Sequence, residues 1–406
     1  MLATLIPLFD QNMKVKAYSL YGQKKNFLLD ARYLSTATQY DAVNIPSFEV
    51  IDSVGLETLP DDVEIFIPIT NVSIFGDINE QCHAPHNRIV LLMDNSIEPK
   101  ADYINRIDEL KKDGFKFAIR KLGVQDFEPY RDILSKVDYV ILNHQKIVIS
   151  KAKIYFKAQY PGVSLVAGNL QSQEIFEELK AEGGYEYFEG EFYRMPLNKG
   201  DTEVAPLKLN YIELLNVVND SNFDLTDAAD VIGRDTALVM SLLEIVNRMA
   251  RNSEITSIRH AAAMLGQKEL RKWITTAITK ELCADKPSEV SRLSLLRAKF
   301  AEELAPLFEM AMQSQELFLM GLFSIIDLIL EKPMSEALDL MNVSKPIRDA
   351  LVDHKGSYVK ILDFIEAYEA GNWQEVSRMM VIANVAMDDV YKAYISTLEW
   401  YRDLFK

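Results

Sequence analysis

The chain has 406 residues, of which 49% are hydrophobic and 26% are charged, as in ordinary globular proteins. This length is sufficient for two domains of common size. The formal net charge of −16 argues against sequence-independent binding to nucleic acid, because such a surface repels phosphate backbones. No run of about 18 apolar residues occurs, so we expect no membrane span.

The cysteines and the first residues indicate the expected compartment. Cys82 and Cys283 lie far apart in the sequence, so no disulfide framework is expected. Residues 1–7 lack the basic start and the long apolar core of a signal peptide. These features favour a cytoplasmic protein.

Residues 1–199 alternate short apolar runs with helical segments, a pattern typical of a parallel sheet covered by helices. Repeated this often, the pattern predicts a (β/α) barrel, which need not be complete. The expected strands are 15–20, 63–68, 89–93, 115–119, 139–142, 164–167 and 185–188, and the expected helices are 101–113, 128–135 and 172–182.

Several short motifs follow one another along this half. They are Pro7-Leu8-Phe9-Asp10 with Asn12, Val15-Lys16-Ala17-Tyr18, Asn71, Arg88-Ile89-Val90-Leu91, Gly114-Phe115-Lys116-Phe117-Ala118, Val137-Asp138-Tyr139, and Phe188-Glu189-Gly190-Glu191-Phe192-Tyr193 followed by Pro196. In order and spacing they resemble the EAL domain, a bacterial barrel that hydrolyses cyclic di-GMP. The resemblance implies two divalent cations, held by carboxylates at the strand ends, that generate hydroxide and clamp the phosphate.

The residues needed for that chemistry are nearly all replaced in this chain. The family's metal-binding amide is kept as Asn71. Ser19 and Leu92 stand where the family has glutamates, Gln23 where it has the phosphate-binding arginine, and Arg120 and Lys121 where it has two aspartates. Ile141 replaces a lysine, Asn143 an aspartate, and Glu189 a glutamine. Gly168, Asn169 and Gln171 replace a glutamate, a lysine and a glutamate, in that order. The resemblance therefore implies a degenerate pocket, with no metal, cofactor or catalytic residue expected. Its lining would be Ser19, Gln23, Asn71, Arg120, Lys121, Asn143, Asn169, Gln171 and Glu189.

Arg120 and Lys121 would place positive charge where the metals would bind. One amide cannot hold two cations, so we expect no hydrolysis by this mechanism. Two interpretations of the basic pair stay open. The pair could bind a nucleotide phosphate directly, as guanidinium and ammonium groups do. Alternatively, it caps a strand end and meets acidic neighbours, which is the commoner role of such pairs.

The second half is predicted to be helical. Asp235 is expected to cap one helix, and Ser257 to begin another that Gly266 ends. Longer helices are expected at 293–312 and 315–330. A series of motifs follows in order along this half: Ala229-Asp230-Val231-Ile232, Asp235, Leu242-Leu243, Val246-Asn247, Ser257-Ile258, Ala262, Leu265-Gly266 and Leu270-Arg271-Lys272-Trp273. They resemble the HDOD domain, an all-helical bacterial signalling module related to HD phosphohydrolases, although Thr236 stands where the family usually has proline.

The sequence contains two sets of residues that could be considered as metal centres. No His-Asp dipeptide occurs, and Asp353-His354 has the reverse order, so an HD-type centre is not expected. Cys82, His83 and His86 have zinc-like spacing, but no fourth ligand is evident and a surface loop is favoured.

The two resemblances predict an EAL-like α/β barrel over 1–199 and an all-helical HDOD-like domain over 200–406, joined by Asn198-Lys199-Gly200-Asp201. The predicted function is a non-catalytic bacterial signalling adaptor that binds protein partners. The EAL resemblance also implies a homodimer as one option. Two alternatives stay open: a receptor that binds cyclic di-GMP without hydrolysis, and a residual cyclic di-GMP phosphodiesterase.

Overall fold

A computed structural model describes residues 1–24, 43–55, 63–194, 204–220, 223–233, 235–249 and 255–403. The chain forms two compact units. Unit 1 contains Met1–Met195, Lys299–Gln315 and Lys360–Lys406, and unit 2 contains Pro196–Ala298 and Glu316–Val359. Compactness thus divides the chain differently from the predicted limits of 1–199 and 200–406, which stay a prediction. The predicted linker, residues 198–201, lies outside the described residues.

Unit 1 contains a closed barrel in which strands are neighbours in sequence order. The strands are β1 (Leu2–Phe9), β2 (Val15–Gln23), β3 (Glu64–Pro68), β4 (Ile89–Met93), β5 (Lys116–Ile119), β6 (Tyr139–Asn143), β7 (Ser164–Leu170) and β8 (Tyr187–Gly190). The predicted barrel is confirmed, and each of the seven predicted strands is present with ends shifted by a few residues.

The expectation of a wholly parallel sheet is wrong for β1, which was not predicted as a strand. β1 pairs antiparallel with both β2 and β8, whereas the neighbours from β2 to β8 are parallel. A short turn joins β1 to β2, and so short a connection allows only antiparallel pairing. In this turn Asp10 Oδ1 accepts hydrogen bonds from the backbone N–H groups of Asn12 (2.8 Å) and Lys14 (3.0 Å).

Helices lie between the strands of the barrel. They are Pro46–Val54, Ile78–Gln81, Ala101–Lys112, Arg131–Leu134, Ile149–Gln159 and Gln173–Glu182. The predicted helices at 101–113 and 172–182 are confirmed, and the one at 128–135 is shorter than expected. Ser172 begins its helix as a side-chain cap, because its Oγ accepts a hydrogen bond from Ile175 N at 3.4 Å.

Helices also dominate the rest of the chain. They are Pro206–Asn219, Leu225–Ile232, Thr236–Met249, Ile258–Leu282, Ser288–Leu304, Ser314–Phe323, Ile326–Leu330, Met334–Asp339, Lys345–Asp353, Val359–Glu369, Trp373–Ala383 and Met387–Asp403. Asp235 Oδ1 accepts a hydrogen bond from Leu238 N (3.1 Å), and Ser257 Oγ accepts one from His260 N (3.5 Å). Both predicted caps are therefore confirmed, as is the interruption at Gly266, where φ is 74°. In the described part of the chain, no helix is both long and apolar enough to cross a membrane.

The two long predicted helices are each shorter than expected. The helix predicted at 293–312 ends at Leu304, because Pro306 cannot continue it. The segment predicted at 315–330 is divided into Ser314–Phe323 and Ile326–Leu330.

Within unit 1, residues near the end of the chain contact β1. Ala3 N donates a hydrogen bond to Tyr368 Oη at 3.2 Å, and Thr4 Oγ1 donates one to the carbonyl oxygen of Glu369 at 3.4 Å. The ring of Tyr368 is fully buried, with its centroid 5.0 Å from those of Phe300 and Tyr394. These contacts cover β1, which has no following helix because it turns directly into β2.

The interior of the barrel is filled by alternate residues of the strands. The buried interior cluster is Leu8, Ala17, Phe66, Val90, Leu92, Ala118, Tyr139, Ile141, Val166 and Tyr187. At the amino-terminal ends of the parallel strands, Glu64 Oε2 accepts hydrogen bonds from Tyr139 (2.8 Å) and Tyr187 (3.2 Å), and Glu64 Oε1 pairs with Lys116. This polar cluster occupies the end of the barrel opposite to the predicted site.

Candidate functional site at the barrel mouth

The carboxyl-terminal ends of the parallel strands form the barrel mouth. Ala118 and Tyr187 face the interior, so Arg120 and Glu189, two positions further along, continue the same face. Arg120 is anchored by its backbone, because its N–H donates to the carbonyl oxygen of Met93 at 3.0 Å. The strands therefore bring a guanidinium and a carboxylate together at the mouth.

Arg120 connects three strands. Its Nη2 lies 3.2 Å from Glu189 Oε1 on β8, and its Nη1 donates a hydrogen bond to Tyr21 Oη on β2. The attraction of Glu189 raises the pKa of the Arg120 guanidinium above its ordinary value. Burial raises the pKa of Tyr21 to about 12. At neutral pH the mouth therefore contains an ion pair beside a neutral phenol.

A second ion pair lies next to the first. Lys121 has a left-handed backbone, with φ of 65°, and its Nζ lies 2.8 Å from Asp94 Oδ2. Partial burial alone would raise the pKa of Asp94, but the hydrogen bonds from Lys121 and Ser96 outweigh it and lower that pKa. Each of these two carboxylates therefore has a cationic partner, and the charges of the four side chains cancel.

Glu189 differs from Asp94 in its degree of burial. Its side chain is 10% exposed, and its Oε2 is buried without a hydrogen-bond partner among the described residues. Ser19, on the neighbouring face of β2, is also fully buried. A buried carboxylate oxygen that lacks a donor costs free energy, so Glu189 depends strongly on Arg120.

The other predicted pocket residues lie around this pair without bonding to it. Asn71 is exposed in the loop after β3, where its carbonyl oxygen accepts a hydrogen bond from Tyr103 at 3.4 Å. Asn143 Oδ1 accepts a hydrogen bond from Gln145 N at 3.0 Å. Between described residues, no hydrogen bond links Asn71 or Asn143 to Arg120 or Glu189.

The remaining predicted residues also have local roles. Asn169 has φ of 64°, and its Oδ1 accepts a hydrogen bond from the exposed Gln171 at 3.2 Å. Gln23 is buried at the end of β2.

Sequence reasoning missed Tyr21 and Asp94 as members of the mouth. Tyr21 could have been found because it follows Ser19 by two positions on one strand, and Asp94 because it directly follows β4.

The loop with zinc-like spacing directs its side chains to different partners. His83 Nδ1 lies 2.9 Å from Asp52 Oδ2, and His86 Nδ1 lies 2.8 Å from the carbonyl oxygen of Asp113. Cys82 is buried, and burial raises the pKa of its thiol to about 11. Within the described ranges, no group of three His, Cys, Asp or Glu side chains could hold a metal ion.

Comparison with known proteins identifies one of the two halves. The family model described as HDOD domain matches residues 205–349. The protein YuxH of Bacillus subtilis (strain 168) is 24% identical to this chain, over 98% of this chain and 97% of YuxH. The cyclic di-GMP phosphodiesterase CdgJ of Vibrio cholerae serotype O1 is 25% identical, over 79% of this chain and 74% of CdgJ.

Among solved structures, the EAL enzyme Bd1971 in its cAMP- and cyclic-di-GMP-bound form is 14% identical to this chain, with a TM-score of 0.36. That match covers 46% of this chain, which spans 60% of the length of the Bd1971 structure. The chain thus contains an HDOD domain at residues 205–349, as predicted. The barrel that precedes it is confirmed by its closed eight-stranded sheet.

Proposed function

We propose that this chain is a signalling adaptor whose barrel does not hydrolyse cyclic di-GMP. The observation that carries the proposal is the pairing of Glu189 with Arg120 and of Asp94 with Lys121 at the barrel mouth. Each of these carboxylates already has a cation from the chain itself.

Metal-dependent phosphodiester hydrolysis requires an anionic set of oxygen ligands. The four charged side chains of the mouth have no net charge, and the guanidinium of Arg120 lies within it. A divalent cation would be repelled by Arg120 and would have to displace it from Glu189. This electrostatic cost supports the predicted absence of metal, cofactor and catalytic residues.

Exposed apolar side chains on the barrel loops also support an adaptor. The side chains of Phe75, Val124 and Val148, in the loops after β3, β5 and β6, are more than half exposed. Exposed apolar side chains on such loops favour contacts with proteins, including a second copy of this chain.

The described cysteines, Cys82 and Cys283, are free and buried, which suits the predicted cytoplasmic location.

The first test is an assay for turnover of cyclic di-GMP by the full chain with Mg²⁺ or Mn²⁺. We expect no turnover above that of protein-free buffer. The matched control is Asn71→Ala, which removes the amide that the EAL resemblance assigns to metal binding. Turnover in the wild type that disappears in this variant would establish a residual phosphodiesterase, as the name of the relative CdgJ suggests, and would defeat the proposal.

A second candidate function is a receptor that binds cyclic di-GMP without cleaving it. Arg120 favours this candidate, because a guanidinium at the mouth, with a quarter of its side chain exposed, can contact a phosphate. Equilibrium binding of labelled nucleotide is the test. Micromolar or tighter binding that is lost in Arg120→Ala supports the receptor, and no binding leaves the adaptor.

A further inference from the structure

Phe75 is an exposed aromatic side chain at the end of the short helix Ser73–Phe75, which follows β3. It is 51% exposed, and the neighbouring Val72 is 40% exposed. The ring of Tyr103, on the helix Ala101–Lys112, is partly exposed, and its centroid lies 5.1 Å from that of Phe75. Val72, Phe75 and Tyr103 together are called the Phe75 patch below.

The backbone that carries the Phe75 patch is fixed by side chains of the helix Ala101–Lys112. Arg106 donates from Nε and Nη2 to the two carbonyl oxygens that flank Phe75 in the chain, at 3.1 and 3.0 Å. The hydroxyl of Tyr103 donates to the carbonyl oxygen of Asn71 at 3.4 Å. A surface that is already ordered loses little conformational entropy when a partner binds, so more of the contact energy contributes to affinity.

Two exposed carboxylates lie beside the Phe75 patch in the chain. Asp77 follows Phe75 by two residues, and Asp102 directly precedes Tyr103. Among the residues that the structure describes, neither carboxylate forms an ion pair. An anionic partner would meet like charge here, on a chain whose formal net charge is −16. The charges of this surface therefore favour a cationic partner.

Arginine is the side chain that matches both features of this surface. Its planar guanidinium can stack on an aromatic ring and at the same time donate two hydrogen bonds to a carboxylate. A lysine ammonium can approach a ring, but it lacks the planar pair of donors. A second copy of this chain is a poorer match, because it carries the same net negative charge.

We propose that the Phe75 patch, together with Asp77 and Asp102, is a docking surface for a basic segment of a protein partner. In the complex, an arginine of that segment stacks on the two rings and pairs with one of the two carboxylates. The inference rests on the proposed adaptor function, for which it names the surface and the chemistry of the partner. Its failure would leave the proposed lack of hydrolysis untouched.

The test is fluorescence anisotropy of a short labelled peptide in which arginine and alanine alternate, titrated with the full chain. Peptides with lysine or glutamate in place of arginine are the comparisons. We expect the arginine peptide to bind several-fold more tightly than the lysine peptide, and the glutamate peptide not to bind.

Phe75→Ser should weaken binding of the arginine peptide at least about tenfold, as truncation of a central aromatic side chain does at other interfaces. The matched control is Ile154→Ser, which removes an apolar side chain that is 69% exposed on a different helix of the barrel. It should keep the wild-type affinity. Thermal unfolding of both variants shows whether each is folded.

Asp102→Asn should weaken binding about threefold, the effect of one exposed ion pair. Its control, Glu178→Gln, removes the same charge from an exposed position on the helix Gln173–Glu182 and should have no effect. Equal losses in these two variants would mean that the peptide responds only to net charge, and would overturn the proposal.

Three other results would also contradict the proposal. They are equal binding by Phe75→Ser and Ile154→Ser, binding of the lysine or glutamate peptide as tightly as the arginine peptide, and no binding of any peptide. Analytical ultracentrifugation tests the other occupant, since a dimer that dissociates in Phe75→Ser would assign the Phe75 patch to a second copy of the chain. Turnover of cyclic di-GMP, measured on the same samples, reports separately on the proposed function.

Discussion

Arg120 and Glu189 are unequal partners, because one is more exposed than the other. The side chain of Arg120 is 25% exposed and that of Glu189 is 10% exposed. Removing the cation leaves a buried carboxylate with no partner, whereas removing the carboxylate leaves a cation that still reaches water. The two substitutions should therefore differ in their cost to the free energy of unfolding.

Arg120→Gln should lower the free energy of unfolding by about 3 kcal/mol at pH 7.5, since it breaks a buried ion pair from one side. The Glu189 carboxylate would stay buried without its cation, and this cost falls on the folded state. Urea midpoints of wild type and variant at pH 7.5 measure the loss.

The double variant Arg120→Gln with Glu189→Gln is the control for that prediction. It should recover most of the loss at pH 7.5, because no charge is then left buried without a partner. Equal destabilisation of the single and double variants would mean that packing of Arg120, and not the charge left on Glu189, sets the cost.

The sequence could predict that Arg120 and Lys121 meet acidic neighbours, but it could not identify which ones. Glu189 is 69 positions from Arg120, and the two meet only because the barrel closes. Asp94 could have been named from its place directly after β4. Tyr21 is not one of the replaced family residues, and its only sequence signal is that it lies on the same strand face as Ser19.

At the scale of elements, the sequence pattern does not predict β1, because the segment contains a proline and is not followed by a helix. Pro7 lies inside the strand, where proline is unusual. Strand prediction succeeded from β2 to β8 because those strands are short, apolar and separated by helical sequence.

The turn after β1 offers a test of backbone strain. Met13 has φ of 60°, a left-handed conformation that favours glycine. Met13→Gly should raise the free energy of unfolding by about 0.5–1 kcal/mol, since relief of strain exceeds the entropy that glycine adds to the unfolded chain. Thermal unfolding measures this, with Gln11→Gly, in the same turn without positive φ, expected to be neutral or destabilising.

Asp235 tests the helix start that the sequence predicted. Its Oδ1 accepts the hydrogen bond from Leu238 N. Asp235→Ala should cost about 1 kcal/mol of stability, while Asp235→Asn should cost much less because asparagine also caps helices. Unfolding of the two variants, monitored by helical circular dichroism, distinguishes capping from a general effect of substitution.

Gly321 shows where two helices of unit 2 approach closely. A Cβ at this position would lie 2.4 Å from the carbonyl oxygen of Arg297, so the backbone would have to shift. Gly321→Ala should therefore destabilise the protein by about 2–3 kcal/mol. Gly162→Ala is the control, because a Cβ there would meet no atom within 4 Å, and its unfolding midpoint should stay near that of the wild type.

For the whole molecule, sequence similarity and compactness give different divisions. The HDOD match ends at residue 349, whereas residues 360–406 belong to the compact unit that contains the barrel. The sequence could not predict this grouping, since Tyr368 and Ala3 are 365 positions apart and their contact follows from tertiary packing alone. The helical character of this segment, in contrast, follows from its apolar periodicity.

This grouping predicts that residues 1–199 are less stable alone than within the full chain. Without the later helices, β1 loses its contacts with Tyr368 and Glu369 and its outer side meets water. Amide hydrogen exchange along Leu2–Phe9 should be markedly faster in the fragment than in the full chain. Equal protection of these amides in both would show that the later helices contribute little to the barrel.

The contact between Ala3 and Tyr368 also has a consequence for biosynthesis. The ribosome synthesises the first strand early and Tyr368 near the end of translation. The first strand of the nascent barrel therefore lacks this contact while most of the polypeptide is translated. During that interval its uncovered wall is a natural target for chaperones, and arrest of translation before residue 368 should prolong their attachment.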